Sequence, residues 1–370
     1  MRPVCAKHET AFDGGFALSR WRKAGILRNM KDVMATLREW DAAGLASAEA
    51  ILVRTQHSSP RQAGARLVVN EHGAVAGAVS MGCVESDLRE HLLNLMSGQG
   101  KPRTIHYGAS FEPLLEVGLS CGGEIEVWIR RHDSASPAWQ ALSGMLPDER
   151  AVLLTHLAGD SPQVLLRPEE TPPSPEMAAP LAALRLRGGT QLITTADGMW
   201  FAESIAPEPL LLIVGASPLS AALCALAALA GFRSVIVDPR RDFARHELFP
   251  SAHAVIHAWP EEGLRQAGMD RHSYVAVLAH DAKLDVPALR AALAANCHYV
   301  GLLGSAKTQA DRRELLAAEG VAPAAIARIR GPIGLKYIGA LEPTEIAVSI
   351  LAELIMARRG KLTPRSEEHG

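Results

Sequence analysis

Residues 209–240 contain the feature of the sequence that most constrains its fold. The segment begins with an apolar predicted strand, Leu210–Val214, which ends in a tight turn at Gly215. A helix of small apolar residues follows, and a second predicted strand, Ser234–Val237, ends in an acidic residue, Asp238. A strand, a glycine turn, a helix and an acidic residue about 20 positions beyond the glycine are typical of the front half of a dinucleotide-binding unit. The segment therefore predicts a Rossmann-like parallel sheet.

The phosphate-binding turn of this unit departs from its fingerprint, Gly-x-Gly-x-x-Gly or Ala. Ser217 adds a side chain where the backbone must approach a pyrophosphate, and Pro218 removes one N–H donor. Loss of one charge-assisted hydrogen bond costs about 1.5–3 kcal/mol, so we expect NAD(P) or another nucleotide to bind weakly or not at all. The candidate contacts for such a nucleotide are Gly215, Ser217, Asp238, Arg240, Gly304 and Ser305.

The composition narrows the class of protein. A formal net charge of −2 gives no electrostatic case for a nucleic-acid partner or an anionic membrane. The five cysteines are far apart, which argues against a disulfide framework and fits a reducing cytoplasm. The polar opening lacks the apolar core of a secretory signal. Residues 209–232 are uncharged and long enough to cross a bilayer, but Gly215, Ser217 and Pro218 interrupt them, so we predict no membrane span.

The rest of the C-terminal part alternates strands with helices, as a parallel sheet requires. One strand there leads into His280 and Asp281, and Asp285 follows one helical turn later. These three side chains, at the carboxyl edge of a sheet, could bind a divalent metal or act as acid and base. The alternative is that Asp285 caps the helix that starts near it. Gly304 and Ser305 open another helix, where either an anion docks or the serine caps the helix.

A different chemistry is indicated in the N-terminal part. An apolar strand passes through Gly82 and Cys83 into a helix that begins near Glu85. Unpaired backbone N–H groups and the helix dipole at such a place stabilise a thiolate, although a free cysteine there can also be a small buried core residue. A second cysteine, Cys121, precedes a pair of glycines that either admit a ligand close to the backbone or form a tight hairpin.

The remaining cysteines and nearby arginines complete the candidates. Arg54, Arg61 and Arg66 could clamp a phosphate by bidentate hydrogen bonds, or they form a solvated rim. Cys224 lies among alanines in a predicted helix and Cys297 precedes a strand, so we predict that both are core residues.

A chain of 370 residues is too long for one ordinary core. We predict a loose extension over 1–29, an N-terminal α+β domain over 30–135, a linker and small β-rich segment over 136–207, a Rossmann-like domain over 208–360 and a tail over 361–370. The predicted fold class is therefore α/β, with a C-terminal Rossmann-like sheet, an N-terminal α+β domain and a small β-rich connecting segment.

Ordered motifs along the chain resemble one family. TQHSSPRQAGARLVV, GAVSMGCVESDL and GLSCGGEIEVWI resemble the first domain of the xanthine dehydrogenase accessory proteins, the XdhC/CoxI family. LLIVGASPLSAAL, IVDPR, LAHDAKLD, YVGLLGSAKTQADRRELLAAEG, GPIGL and EPTEIAVSILAELI are similar to the Rossmann domain of that family. The chain departs from the family at the turn, where Ser217 and Pro218 replace glycine and histidine, at Ala279 in place of threonine, and at Lys336-Tyr337 in place of an acidic residue.

The resemblance implies a maturation factor. Its members bind the molybdenum cofactor, promote its sulfuration with a cysteine desulfurase and hand it to a xanthine dehydrogenase-type apoenzyme. With the arginine candidates, the implied contacts to that cofactor are Gly82, Cys83, Glu85, Cys121, Gly122, Gly123, Arg61 and Arg66. In the second domain the family motifs fall on Gly215, Asp238, Arg240, His280, Asp281, Asp285, Gly304 and Ser305.

Two enzymatic alternatives stay open at this point. One is an NAD(P)-dependent oxidoreductase, which needs an intact pyrophosphate turn. The other is a metal-dependent nucleotidyl- or phosphoryl-transfer enzyme that uses His280, Asp281 and Asp285. Because no complete nucleophile, base and acid set can be read from the chain, we favour a maturation factor without turnover of its own. We also expect a homodimer.

Overall fold

The computed structural model describes residues 30–57, 59, 61–80, 82, 84–108 and 123–362, apart from the side chains of Lys31 and Asp32. The expected extension over 1–29 lies outside these ranges, as do residues 363–370 of the expected tail. Cys83, Cys121 and Gly122 also lie outside them.

The first sheet is antiparallel and has one face covered by a helix. Its strand order is β3–β2–β1–β5–β4, with strands β1 (Ser47–Gln56), β2 (Arg66–Asn70), β3 (Val75–Gly77), β4 (Arg103–Tyr107) and β5 (Glu124–Arg131). Alternate strand residues such as Leu52, Leu67 and Val127 point to one face, where they pack against Leu88 and Leu92. These leucines belong to helix α2 (Glu85–Met96), and helix α1 (Lys31–Ala42) precedes the sheet.

The second sheet packs against the opposite face of the first. It has the order β7–β6–β9–β8, with strands β6 (Ala151–His156), β7 (Gln163–Leu166), β8 (Thr190–Thr195) and β9 (Gly198–Ile205). Ile51, Val53 and Trp128 of the first sheet pack on Phe201 of the second. Helices α3 (Pro137–Ser143) and α4 (Ala178–Arg187) accompany it, and a 3₁₀ turn (Pro175–Met177) precedes α4. The β-rich segment is therefore a layer of the N-terminal body.

Buried charges join these two sheets. Arg66 on β2 is fully buried and donates through Nη1 and Nη2 to the two carboxylate oxygens of Glu203 on β9, at 2.6 and 2.5 Å. Its Nε donates to Glu49 on β1 at 3.0 Å, and Arg130 Nη1 donates to the other oxygen of Glu49 at 3.0 Å. Burial opposes ionisation of both carboxyls, but Glu49 faces two guanidinium groups that lower its pKa, whereas Glu203 faces one and its pKa is raised.

The third sheet is parallel and confirms the predicted Rossmann-like fold. Its order is β12–β11–β10–β13–β14, with strands β10 (Leu210–Val214), β11 (Arg233–Val237), β12 (Ala254–Ile256), β13 (Tyr274–Val277) and β14 (Tyr299–Leu302). The chain runs outward from β10 on one side and returns to β13 on the other. The carboxyl ends of β10 and β13 therefore flank the switch point where open α/β sheets bind ligands.

Helices cover both faces of this sheet. They are α5 (Pro218–Leu229), α6 (Pro260–Gln266), α7 (Ala282–Ala294), α8 (Ala306–Ala318), α9 (Pro323–Ile326) and α10 (Pro343–Arg358). Leu223 of α5 and Ile350 of α10 lie in the core on one face, and Leu289 of α7 and Leu316 of α8 lie in the core on the other. Short 3₁₀ turns span His246–Leu248 and Lys336–Ile338.

The connection between the second and third sheets is short. Strand β9 ends at Ile205 and β10 begins at Leu210, so residues 206–209 link them, and two of these, Pro207 and Pro209, are prolines. Within the described ranges, every helix is too short or too polar to cross a bilayer.

Candidate functional site

The Glu85 carboxylate organises the backbone at the start of α2. Ser80 donates its N–H to Oε1 at 2.7 Å and its hydroxyl to Oε2 at 2.6 Å. The N–H groups of Gly82 and Val84 donate to Oε2 at 3.0 and 3.2 Å. These donors flank Cys83, which itself lies outside the described residues. Glu85 therefore fixes the chain on both sides of the cysteine.

This geometry changes the role expected for Glu85. Partial burial raises its pKa, but the hydrogen bonds from Ser80 and from the backbone lower it by more, so the net pKa is below the usual range of glutamate. An ionised carboxylate that already accepts four hydrogen bonds has little capacity for a ligand. We therefore treat Glu85 as a residue that positions the Cys83 segment, in place of the cofactor contact suggested by the motif.

Tyr107 joins this segment to the neighbouring strand. The last residue of β4, it donates its hydroxyl to Asp87 of α2 at 2.5 Å, and its backbone pairs with Ile125 of β5. Burial, followed by the hydrogen bond to Asp87, raises the pKa of Tyr107, so the phenol keeps its proton. Because β5 begins at Glu124, the chain that follows Cys121 enters the sheet next to the start of α2.

A polar cavity of about 220 Å³ opens at the same end of the first sheet. Side chains at alternate positions of the paired strands β1, β4 and β5 form its charged and polar lining. These residues are Arg54, Gln56, His106, Glu124 and Glu126. Tyr107 and Ile125 complete the lining. Arg54 donates to Glu126 at 3.1 Å. The cavity places a guanidinium, an imidazole and two carboxylates at the end of the first sheet where β5 begins.

The arginines and glycines that were expected to contact the cofactor lie in different surroundings. Arg66 was expected to clamp a phosphate, but its guanidinium is buried and engaged by Glu49 and Glu203, so we remove it from the site. Arg61 is partly exposed, and its carbonyl accepts the Ser59 hydroxyl at 2.9 Å. Gly82 adopts a φ of +109°, which favours glycine. Gly123 is buried directly before β5.

At the switch point of the parallel sheet, the Asp238 carboxylate accepts hydrogen bonds from neighbouring groups of the protein. Its Oδ2 accepts the Ala216 N–H at 2.7 Å and Arg240 Nη2 at 2.7 Å. Its Oδ1 accepts the N–H of Arg240 at 2.8 Å and Nε at 2.9 Å. A carboxylate offers about four acceptor positions, and all four are used. Asp238 therefore has no acceptor left for a ribose hydroxyl, and Arg240, although exposed, is paired with Asp238.

The glycine turn beside it is likewise satisfied internally. Ser217 caps α5, because its hydroxyl accepts the Ser220 N–H at 3.2 Å. The Ser220 hydroxyl donates to the Gly215 carbonyl at 2.5 Å. Pro218 occupies the first turn of α5 and has no N–H. A Cβ at Gly215 would lie 2.7 Å from the Ala279 backbone, so this glycine is required by packing as well as by its φ of +106°.

The structure contradicts the expected metal site. Among the described residues, no group of three or more His, Cys, Asp or Glu side chains is arranged to hold a metal ion. Helix α7 begins at Ala282 and is capped by Asp281, whose Oδ1 accepts the Lys283 N–H at 3.0 Å. Asp285 lies one turn inside the helix, fully buried, and accepts Arg312 Nε at 3.0 Å.

Asp285, His280, Gly304 and Ser305 complete the description of this edge of the sheet. Burial raises the pKa of Asp285, against the lowering effect of Arg312. His280 is exposed and has a φ of +58°. Ser305 caps α8 by accepting the Thr308 N–H at 3.3 Å, and Gly304 has a φ of +135°. The cap is thus the arrangement found for Ser305, one of the two alternatives left open by the sequence.

Sequence reasoning missed most of the cavity lining. Glu124 and Glu126 occupy alternate positions of one strand, as do Arg54 and Gln56 of another. This period of two places them on one face, and a charged strand face is a signal that the sequence does contain. That β4 lies beside β5, and so brings His106 opposite Glu126, depends on the tertiary fold.

Comparison with known proteins identifies two matching family models. The model described as the XdhC Rossmann domain matches residues 211–354. The model described as the XdhC and CoxI family matches residues 40–108.

Relatives of similar length match most of the chain. A protein of Bacillus subtilis (strain 168) named as a probable xanthine dehydrogenase component is 30% identical over 315 residues, which cover 84% of this chain and 92% of the relative. Molybdenum cofactor insertion chaperone PaoD from Escherichia coli (strain K12) is 30% identical over 307 residues, which cover 83% of this chain and 82% of the relative. A crystal structure from Bacillus halodurans described as a xanthine dehydrogenase has a TM-score of 0.64 and 24% identity, and the match covers 89% of this chain and 96% of that one. At that identity the likeness shows a shared fold.

Proposed function

Because the chain belongs to the XdhC and CoxI family, we propose that it binds the molybdenum cofactor and inserts it into a xanthine dehydrogenase-type apoenzyme. The relative named as a molybdenum cofactor insertion chaperone supports this role. The proposal includes support for sulfuration of the cofactor by a cysteine desulfurase, and a cytoplasmic location. The cofactor is cargo, and the protein is a maturation factor without turnover of its own.

The observation that carries the proposal is the arrangement at the end of the first sheet. Glu85 fixes the backbone on both sides of Cys83, and Tyr107 ties the start of α2 to β5, the strand that the Cys121 segment enters. Residues far apart in the chain thus hold the backbone on both sides of Cys83 and the start of β5, the strand that follows Cys121, at one end of one sheet. Preorganised supports of this kind favour binding, because less conformational entropy is lost when the cargo arrives.

The residues at this end have distinct proposed roles. The thiolate of Cys83 contacts the cofactor, and Cys121 with Gly122 and Gly123 forms a second wall. The positive end of the α2 dipole favours a thiolate. Because Glu85 and Asp87 in the first turn of α2 are acidic, we assign the cofactor phosphate to Arg61. Arg61 supplies a cation near the same strand end. The polar cavity receives the hydrophilic part of the cargo, for which its amide, imidazole and carboxylates offer hydrogen bonds.

The Rossmann-like domain has a different proposed role. Asp238 and the Gly215 turn satisfy one another, so we propose that the domain is a scaffold and partner surface, with no dinucleotide in the switch-point crevice. The dehydrogenase alternative loses support for this reason. The metal-dependent transferase alternative loses it because Asp281 caps a helix and Asp285 pairs with Arg312.

The test is purification of the full chain from a host that synthesises the cofactor, followed by oxidation of any bound pterin to its fluorescent form. We expect wild type to retain pterin and Cys83→Ala to retain at least tenfold less. Cys224→Ala is the matched control, because Cys224 is a fully buried core thiol of α5. Wild type without pterin would refute the proposed function, and equal retention by Cys83→Ala would remove Cys83 from the site.

A second step tests delivery to the client. Pterin-loaded protein is mixed with a xanthine dehydrogenase-type apoenzyme, and the recovery of dehydrogenase activity is measured. We expect loaded wild type to activate the apoenzyme faster than an equal concentration of free cofactor. Equal rates would indicate a storage protein.

A further inference from the structure

A β-bulge in the first sheet brings two charged side chains together in the polar cavity. Strands β1 and β5 pair in regular register up to Leu52 and Val127, and β1 then carries one extra residue, so that Arg54 lies opposite Glu126. Without this bulge Arg54 would lie opposite Ile125, on the other face of the sheet, because a shift of one residue reverses every side chain. The bulge therefore places a guanidinium beside the Glu126 carboxylate.

The Glu126 carboxylate uses little of its hydrogen-bonding capacity. Arg54 Nη1 donates to Oε1 at 3.1 Å, and among the described residues no other group donates to this carboxylate. A carboxylate has about four acceptor positions, so both positions of Oε2 and one of Oε1 remain for a ligand. Arg54 likewise has further N–H donors, since a guanidinium carries five. Both side chains line the cavity, so a ligand there can reach them together.

Folding stability does not explain this pair. The side chains of Arg54 and Glu126 are 43% and 22% exposed, and ion pairs that are open to solvent contribute little to stability. The buried pairs of Arg66 in the same sheet, by contrast, are closed to solvent. Bulges are frequent beside binding sites, where they direct a side chain. The bulge before Arg54 therefore indicates a binding role for the pair.

We propose that Glu126 and Arg54 bind the pterin ring of the cargo by its amino-oxo edge, an inference that rests on the proposed function. This edge presents N2–H, N3–H and O4 in a row, which are two donors followed by an acceptor. Oε2 and Oε1 of Glu126 accept from the two N–H groups, and Arg54 donates to O4. The order of acceptor, acceptor and donor in the protein is thus the complement of the ring edge. Hydrogen bonds to charged groups are strong, and their geometry gives specificity.

The size of the cavity agrees with a ring as its occupant. A cavity of about 150 Å³ holds benzene, and this cavity has a volume of about 220 Å³. It is therefore suited to a two-ring heterocycle, while the rest of the cofactor lies outside it. Guanine carries the same edge on a two-ring base, so a guanine nucleotide is the competing source of this chemistry.

The test is equilibrium dialysis of the full chain at pH 7 against pterin, lumazine and GMP. Lumazine differs from pterin at position 2, where an oxo group replaces the amino group. We expect wild type to bind pterin at least tenfold more tightly than lumazine, because the lumazine oxygen would face Oε2 of Glu126. We also expect pterin to bind more tightly than GMP.

Two variants separate the roles of the pair. Glu126→Gln supplies an amide that can donate to the lumazine oxygen, so pterin binding should weaken at least tenfold and the preference for pterin should disappear. Arg54→Met removes the donor to O4, which both rings have, so both affinities should fall by a similar factor and the preference should remain. Glu149→Gln is the matched control, because Glu149 also pairs with one arginine and is 34% exposed, outside the cavity lining. This control should bind as wild type does.

The outcomes distinguish this inference from the proposed function. Wild type that binds both rings equally, or neither at millimolar concentration, would overturn the inference, as would tighter binding of GMP than of pterin. If wild type and Glu126→Gln retain equal amounts of cargo pterin on purification, the inference fails and the proposed function stands. Wild type that carries no cargo but prefers pterin to lumazine would refute the proposed function and leave the ring site supported.

Discussion

Breaking the buried ion pair between the first and second sheets should destabilise the N-terminal body strongly. Glu203→Leu removes the carboxylate that accepts both Nη1 and Nη2 of Arg66. The side chain of Arg66 is fully buried, so its charge cannot reach water in the folded state. Glu49 remains as an acceptor for Arg66, but it also serves Arg130.

The magnitude follows from the balance of charges. The network holds two guanidinium groups, Arg66 and Arg130, against two carboxylates, Glu49 and Glu203. Loss of Glu203 leaves one buried positive charge without compensation, and removal of one partner from a buried pair costs about 3–5 kcal/mol. Arg66→Met combined with Glu203→Leu leaves the Glu49–Arg130 pair intact. We therefore expect the double variant to recover at least about 2 kcal/mol relative to Glu203→Leu alone.

The assay is urea unfolding followed by tryptophan fluorescence. The probes are buried Trp128, Trp139 and Trp200, which belong to the N-terminal body. For a body of this size, a loss of 3 kcal/mol corresponds to roughly 6–12 °C in melting temperature. Glu262→Gln is the surface control, because its ion pair with Arg265 is exposed to solvent and should contribute little to stability. A loss below 1 kcal/mol for Glu203→Leu, or strictly additive effects in the double variant, would refute the reasoning.

Three further predictions concern the site, the crevice and the thiols. Glu85→Gln replaces one acceptor oxygen by an NH₂ donor that faces backbone N–H groups, so pterin retention should fall about tenfold. The exposed control Glu90→Gln should retain as much pterin as wild type. Equal retention by both variants would contradict the positioning role of Glu85. Burial raises the pKa of Asp238, but hydrogen bonds from Arg240 and Ala216 lower it by more, so the folded pKa is below the unfolded value. The stability that ionised Asp238 gives the folded protein is therefore complete above the unfolded pKa near 3.9, and it is lost as pH falls through the folded pKa. Between pH 7 and about pH 3, the melting temperature of Asp238→Asn should therefore fall less than that of wild type. An equal fall in both proteins would argue against this role of Asp238. Burial raises the pKa of Cys224 and of Cys297 to about 12. Iodoacetamide should therefore alkylate neither thiol in the folded protein, as measured by peptide mass spectrometry. Alkylation under native conditions would show that these thiols are accessible.

The Rossmann-like unit could be predicted from sequence because its signals are local. The apolar strand Leu210–Val214 lies where the pattern places it, and the second strand begins one residue earlier than predicted, at Arg233. Ser217 caps α5 and Gly231, with a φ of +70°, follows its end. Each of these signals acts within a few residues of its own position.

The wrong assignments arose where partners are distant in the chain. Arg66 resembles a phosphate clamp until its partners are known, and these are Glu49, 17 residues away, and Glu203, 137 residues away. Asp285 resembles a helix cap or a metal ligand, but Arg312, 27 residues away, neutralises it inside the core. Side-chain type indicates what chemistry a residue can perform, and only the tertiary fold decides which group it meets.

The short connection at residues 206–209 has a consequence for how cargo is presented. Pro209 is already anchored, because its carbonyl accepts the Arg233 N–H at 3.0 Å, and Ile205 is held in the N-terminal core. The connection between these two anchored positions is thus little more than Pro207 and Glu208, and proline fixes one of the backbone torsions. A connection this short limits how far the cargo end of the first sheet can move relative to the Rossmann-like domain, so a client that contacts both would meet them at a nearly constant spacing.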